Sequence, residues 1–120
     1  MEAKKAAAQA EVNVVSVGSA ADLSAALDAA KKSRKPAVID FSATWCGPCH
    51  MIAPVYGALA TEYKDRVVFL KVDVDKAQDA AAQWKVASMP TFVFISSTGN
   101  SSKLQGANPE ALKSGVAALH

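Results

Sequence analysis

The chain has two cysteines, and they stand three positions apart in Trp45-Cys46-Gly47-Pro48-Cys49-His50. An apolar, strand-like stretch ends just before this unit, and Pro48 marks the start of a helix. A helix N-terminus offers unpaired backbone N–H groups and the positive end of the dipole. A thiol placed there, Cys46, is expected below the ordinary thiol range and partly ionised near neutral pH, and the thiolate is the attacking species. Cys49, one helical turn further, is expected to be the more buried of the two. From there it can attack a mixed disulfide on Cys46 and release the partner. The loop between them is too short for its disulfide to add much chain-entropy stability, which suits a bond that is made and broken repeatedly.

Other readings of the pair fit less well. Inert core thiols need no such position. A zinc site is two ligands short, with only His50 and His120 to complete it. Cys46-Gly47-Pro48-Cys49-His50 also satisfies the pattern for covalent haem attachment. That chemistry goes with axial ligands and an exported, mainly helical chain, whereas this sequence is rich in valine-containing strand patterns.

Asp40 is the second chemical candidate. It interrupts Ala37-Val38-Ile39-Asp40-Phe41, which is otherwise apolar on both faces. Burial disfavours a carboxylate and raises its pKa. Because the strand leads into the cysteine loop, Asp40 is expected beneath Cys49, taking its proton during attack. Lys71, in Leu70-Lys71-Val72-Asp73, is a candidate partner charge. The plainer reading of Asp40 is a solvated or turn-capping residue at a strand end. Trp45 reads either as a core aromatic or as a cover over one edge of the cysteine site, and Trp84 as core. Pro90, before a strand, reads by itself as a trans kink or an edge marker.

The elements that must hold these residues alternate. Val12–Val17 is a β-branched strand. Ser19, with Asp22 three residues on, caps a helix whose Leu23, Leu27 and Ala30 share a face before Lys31-Lys32 ends it. Pro36 opens a strand over 37–43, apolar enough for burial on both sides. The helix from Pro48 carries Ile52, Val55 and Leu59 on its apolar stripe, and Pro54 inside it predicts a kink. A strand over 66–73, a short helix over 75–84 with Ala80, Ala81 and Trp84 inward, and a strand over 91–95 follow. Ser96–Asn100 is a turn and 101–105 a polar strand suited to a sheet edge. Asn108-Pro109-Glu110 starts a last helix, with Leu112, Val116 and Leu119 as its core face. The order βαβαβαββα implies an α/β fold. A parallel pair comes from the opening βαβ unit, an antiparallel hairpin from the last two strands, and helices cover both faces of one mixed sheet.

Composition agrees with one domain. Of 120 residues, 51 % are hydrophobic, but 25 are alanine and 13 valine, so the larger apolar residues are enough for a single core. The net charge of +2 gives no basic field for nucleic acid or a membrane surface. Residues 1–11 are alanine-rich, broken by charges, and read as an extension, frayed or disordered, ahead of a domain over 12–120. They lack the continuous apolar segment of a secretory signal. An intracellular, reducing, cytoplasmic setting is expected, where two cysteines serve chemistry better than stapling.

The chain resembles the thioredoxins. The likeness is carried by Asp40-Phe41-Ser42-Ala43-Thr44-Trp45-Cys46-Gly47-Pro48-Cys49, Phe69-Leu70-Lys71-Val72-Asp73-Val74-Asp75, Val86-Ala87-Ser88-Met89-Pro90-Thr91-Phe92 and Gly106-Ala107-Asn108. The wording is most similar to eukaryotic cytosolic members, above all the plant and algal h type. The resemblance implies a five-stranded mixed sheet flanked by four helices, and a protein-disulfide reductase without a cofactor. It implies Cys46 as nucleophile, Cys49 as resolving thiol, Asp40 as proton acceptor and a cis peptide before Pro90. Trp45, Met89, Pro90, Gly106 and Ala107 would form an apolar docking surface. Gly47-Pro48 matches the reducing members of the family rather than the isomerases. Implied partners are a thioredoxin reductase and disulfide-containing target proteins, with the chain itself monomeric and binding neither nucleic acid nor membrane. His50 departs from the Lys or Arg common after the second cysteine. Ser101-Ser102 stand where an apolar strand residue is common.

Overall fold

The computed structural model describes residues 11–120. The extension expected at the N-terminus therefore lies, for residues 1–10, outside the described residues. Five strands and four helices follow in the expected order. The strands are β1 (Val15–Val17), β2 (Ala37–Ser42), β3 (Val68–Asp73), β4 (Thr91–Ile95) and β5 (Ser101–Gln105). The helices are α1 (Ala20–Lys32), α2 (Gly47–Glu62), α3 (Gln78–Gln83) and α4 (Pro109–Ala117).

Local chemistry sets the boundaries. Ser19 caps α1, accepting a hydrogen bond from the Asp22 N–H, and Asn108 caps α4 through the Ala111 N–H. β1, β3 and α3 are shorter than their sequence patterns, and β2 ends one residue early, at Ser42. Val14 N–H donates to Glu11 O at 3.0 Å, so a turn occupies residues where extended chain was expected and β1 starts only at Val15. Arg66 and Val67 both donate to Tyr63 O, closing α2 and delaying β3 to Val68. Asp73 Oδ1 accepts from Asp75 N–H at 2.9 Å, a side-chain turn that uses up the residues ahead of α3.

The sheet order is β1-β3-β2-β4-β5. The parallel pair expected from the opening βαβ unit is therefore split: β1 and β2 run parallel, but β3 lies between them and pairs with both. Burial explains the order. All six residues of β2 are buried, which suits the centre, whereas β1 buries only Val17. On the other side β4 runs antiparallel to β2, and the β4–β5 hairpin places the polar strand at the edge.

Alternation along the strands divides the core in two. Val38, Phe69, Phe92 and Phe94 pack with Ile52, Tyr56 and Leu59 of α2 and with Leu112 and Val116 of α4. Ile39, Phe41, Leu70, Val72 and Val93 face the other way, toward Leu23 of α1 and Ala80 of α3, with Trp84 partly buried against them. Asp40, two residues after Val38, shares the face covered by α2. Among the described residues, no helix is long and apolar enough to cross a membrane.

Candidate active site

The strand-to-helix junction after β2 presents the cysteines. Cys46 is the N-cap of α2 with extended backbone angles, and Pro48 fills an early helical position where no N–H is needed. Cys49 N–H donates to Cys46 Sγ at 3.3 Å, so one of the orphan donors of the helix points at this sulfur. The two residues are joined as a disulfide with Cα atoms 5.3 Å apart. They are buried alike, Cys46 at 5 % and Cys49 at 7 % exposure, which corrects the expectation that Cys49 lies deeper. The reason is packing: Cys46 is tucked against Ala43 and Met89 instead of standing clear of the surface.

Met89 belongs to the loop before β4. The Met89–Pro90 peptide is cis, and Met89 O lies 3.7 Å from Cys46 Sγ, in reach of the thiol proton once the disulfide is reduced. Pro90 O accepts from Gly106 N–H at 2.9 Å. Gly106 has φ of +93°, a conformation that favours glycine, so the turn into Ala107 and α4 is bonded directly to the proline loop. The Met89–Pro90 loop thereby reaches Cys46 on one side and the Gly106 turn on the other.

Trp45 is 67 % exposed, which removes the core-aromatic reading. Its Nε1–H donates to Asp75 Oδ2 at 2.7 Å, fixing the ring beside the cysteines. His50 Nε2 lies 2.6 Å from Thr44 O, so that nitrogen carries a proton. Gly47 has open space where a side chain would stand.

Asp40 is 2 % exposed, and its Oδ1 is a buried oxygen without a hydrogen-bond partner among the described residues. Desolvation pushes its pKa from 3.8 up to about 7, opposed by the Lys71 charge and helped by that of Glu11. Solvated and turn-capping readings of Asp40 do not fit this burial. Lys71 is its register partner on β3, but the Lys71 ammonium pairs with Glu11 Oε1 at 2.8 Å. An open cleft of about 270 Å³ joins the Lys71–Glu11 pair to Cys49, lined by Glu11, Lys71, Asp73, Thr44, Cys49 and His50.

Three contributors escape the sequence patterns. Tyr56 is fully buried in α2, its hydroxyl 2.7 Å from Leu70 O and 3.1 Å from Val38 O, and burial raises its pKa well above the usual tyrosine value. Its place one turn after Ile52 on the apolar stripe was a readable signal. Asp75 carried a weaker one, as the acid closing Asp73-Val74-Asp75. Glu11 carried none, since its partner is 60 residues away. Among the described residues, no group of three His, Cys, Asp or Glu side chains is arranged to hold a metal ion.

Residues 5–118 match the family model described as Thioredoxin. The chain is 46 % identical over 113 residues to the TPR repeat-containing thioredoxin TDX of Arabidopsis thaliana, covering 92 % of this chain but 30 % of that protein. It is 49 % identical over 90 residues to Thioredoxin H4 of the same plant, covering 75 % of this chain and 76 % of that one. The crystal structure of Fasciola hepatica thioredoxin superposes with a TM-score of 0.82 at 40 % identity, covering 88 % and 99 % of the two chains.

Proposed function

This chain belongs to the thioredoxin family, and on that premise we propose that it reduces disulfides in target proteins through Cys46 and Cys49. The observation that carries the reading is the N–H of Cys49 aimed at Cys46 Sγ across the start of α2. That donor and the helix dipole favour a thiolate on Cys46 over one on Cys49. The Cys46 thiolate attacks one sulfur of the target disulfide. A Cys46–target bond forms, and the other target sulfur leaves as a thiolate that takes a proton from water. Cys49 then passes its proton to the Asp40 carboxylate and attacks Cys46 Sγ. The Cys46–Cys49 bond forms, the second target thiolate leaves, and two electrons have moved from the cysteine pair to the target.

The Asp40 pKa near 7 suits this step, because near neutral pH the carboxyl is partly ionised and still basic enough to accept a proton. Trp45, Met89, Pro90, Gly106 and Ala107 serve as the docking surface for target backbone. Lys71 tempers the charge on Asp40 from the neighbouring strand. A thioredoxin reductase returns the two electrons. Likeness to h-type relatives supports a cytoplasmic setting, and residues 12–120, with Glu11 paired to Lys71 at their edge, act as the functional domain.

A disulfide-linked fluorogenic peptide pair tests the reading, with dithiothreitol as electron source. The wild type is expected to turn over catalytically, Cys46→Ser to be inert, and Cys49→Ser to stop after one covalent event. Full turnover by Cys46→Ser would remove the assignment.

A further inference from the structure

Lys71 and Asp40 stand opposite each other in adjacent parallel strands, on the sheet face covered by α2. An ammonium there has an obvious partner in a buried carboxylate, and cross-strand pairs of opposite charge attract. Yet no ion pair joins them: among the described residues Asp40 Oδ1 has no hydrogen-bond partner, and Lys71 Nζ sits 2.8 Å from Glu11 Oε1. The side chains of Lys71 and Glu11 are 28 % and 25 % exposed, so the pair lies at the cleft mouth and is only partly screened by solvent. Glu11 belongs to the turn before β1, far from the cysteines in sequence, but lines the same cleft as Cys49.

We propose that Glu11 is a positioning residue of this site: by holding the Lys71 ammonium at the cleft mouth, it keeps a direct ion pair from forming with Asp40 and leaves that carboxyl able to take up a proton. The inference rests on the reading of Asp40 as proton acceptor. A carboxylate locked to an ammonium is held ionised and is a weak base, so the lysine must be engaged elsewhere for Asp40 to serve. The other titratable groups around the cleft do not do this. Asp73 of β3 bonds the Asp75 N–H, His50 of α2 bonds Thr44 O, and Tyr56 of α2 bonds Leu70 O and Val38 O. Cys49 is the group that reacts, and β4 offers only Phe92 opposite Asp40. Among the described residues, Glu11 alone forms an ion pair with the Lys71 charge.

The test follows the Asp40 carboxyl by ¹³C NMR titration of the oxidised full chain, with the single-turnover rate of mixed-disulfide resolution measured against pH on the reduced chain. Glu11→Gln is expected to move the Asp40 midpoint down by a few tenths of a pH unit and to shift the acid limb of the rate profile with it. Glu11→Asp should fall between that variant and wild type. In a Lys71→Met background the effect of Glu11→Gln should shrink. An Asp40 midpoint unmoved by Glu11→Gln, or moved equally with and without Lys71, would overturn the proposal. If Asp40→Asn leaves the resolution rate unchanged while the Asp40 midpoint still follows Glu11, the proton-acceptor role fails and the Glu11–Lys71 coupling stands.

Discussion

A carboxyl group held at 2 % exposure with one oxygen unpartnered costs folding free energy whenever it is charged. Asp40 binds its proton more tightly in the folded chain, near 7, than in the unfolded chain, near 3.8. Well below pH 3.8 both states are protonated and the penalty is absent. It grows as pH rises through that window and is complete above the folded value, with an upper bound of about 4 kcal/mol at about 1.4 kcal/mol per pH unit. Asp40→Asn is therefore expected to be more stable than wild type at pH 8 in urea unfolding, by up to about 4 kcal/mol. The gap should narrow on acidification and close only below the unfolded-state value of 3.8. Parallel stability curves for the two proteins would show that Asp40 carries no such penalty. The same variant should resolve mixed disulfides about 100-fold more slowly at neutral pH, the usual scale for loss of a positioned base, read by quenched-flow alkylation. Much of this was legible from one polar letter inside an apolar strand. What could not be read was how the Lys71 charge is divided, because Glu11 reaches it across 60 residues.

Helix ends and strand faces carry the intermediate scale. The N-terminus of α2 positions both sulfurs, and its caps were written locally in Cys46 and Pro48, as those of α1 and α4 were in Ser19 and Asn108. Contacts between elements were less visible. Gly115 reads as a weak helix residue, yet α4 can approach β4 only because no Cβ stands there: a methyl group would overlap the ring of Phe94. Gly115→Ala is expected to lose about 1–3 kcal/mol in denaturant unfolding, the usual cost of overpacking a filled core. Its effect on disulfide exchange should be slight, since Phe94 pairs with Val38, toward the end of β2 farther from the cysteine loop. Equal or greater stability would mean that α4 rides free of the sheet.

Across the whole molecule, the alternation of strands and helices announced an α/β sheet, but the pairing order did not follow from adjacency in sequence. β3 enters between β1 and β2 because the centre demands a strand buried on both faces and the edge accepts a short one. The same long-range assembly brings the Met89–Pro90 loop against Cys46 and ties Gly106 to that loop through the Pro90 O bond to Gly106 N–H. No local pattern encodes that meeting, and the resemblance to thioredoxins was what made it foreseeable. The assembled site is a single pair of sulfurs served by one helix end, one buried acid and the Met89–Pro90 loop. Its central claim, that Cys46 attacks and Cys49 resolves, is tested most directly by trapping. The reduced Cys49→Ser protein is incubated with disulfide-containing proteins, and the products are mapped by non-reducing mass spectrometry. Mixed disulfides should accumulate at Cys46, as they should not in wild type, where Cys49 releases them. Failure to capture any partner while Cys46 is shown to be reduced and reactive toward iodoacetamide would contradict the account.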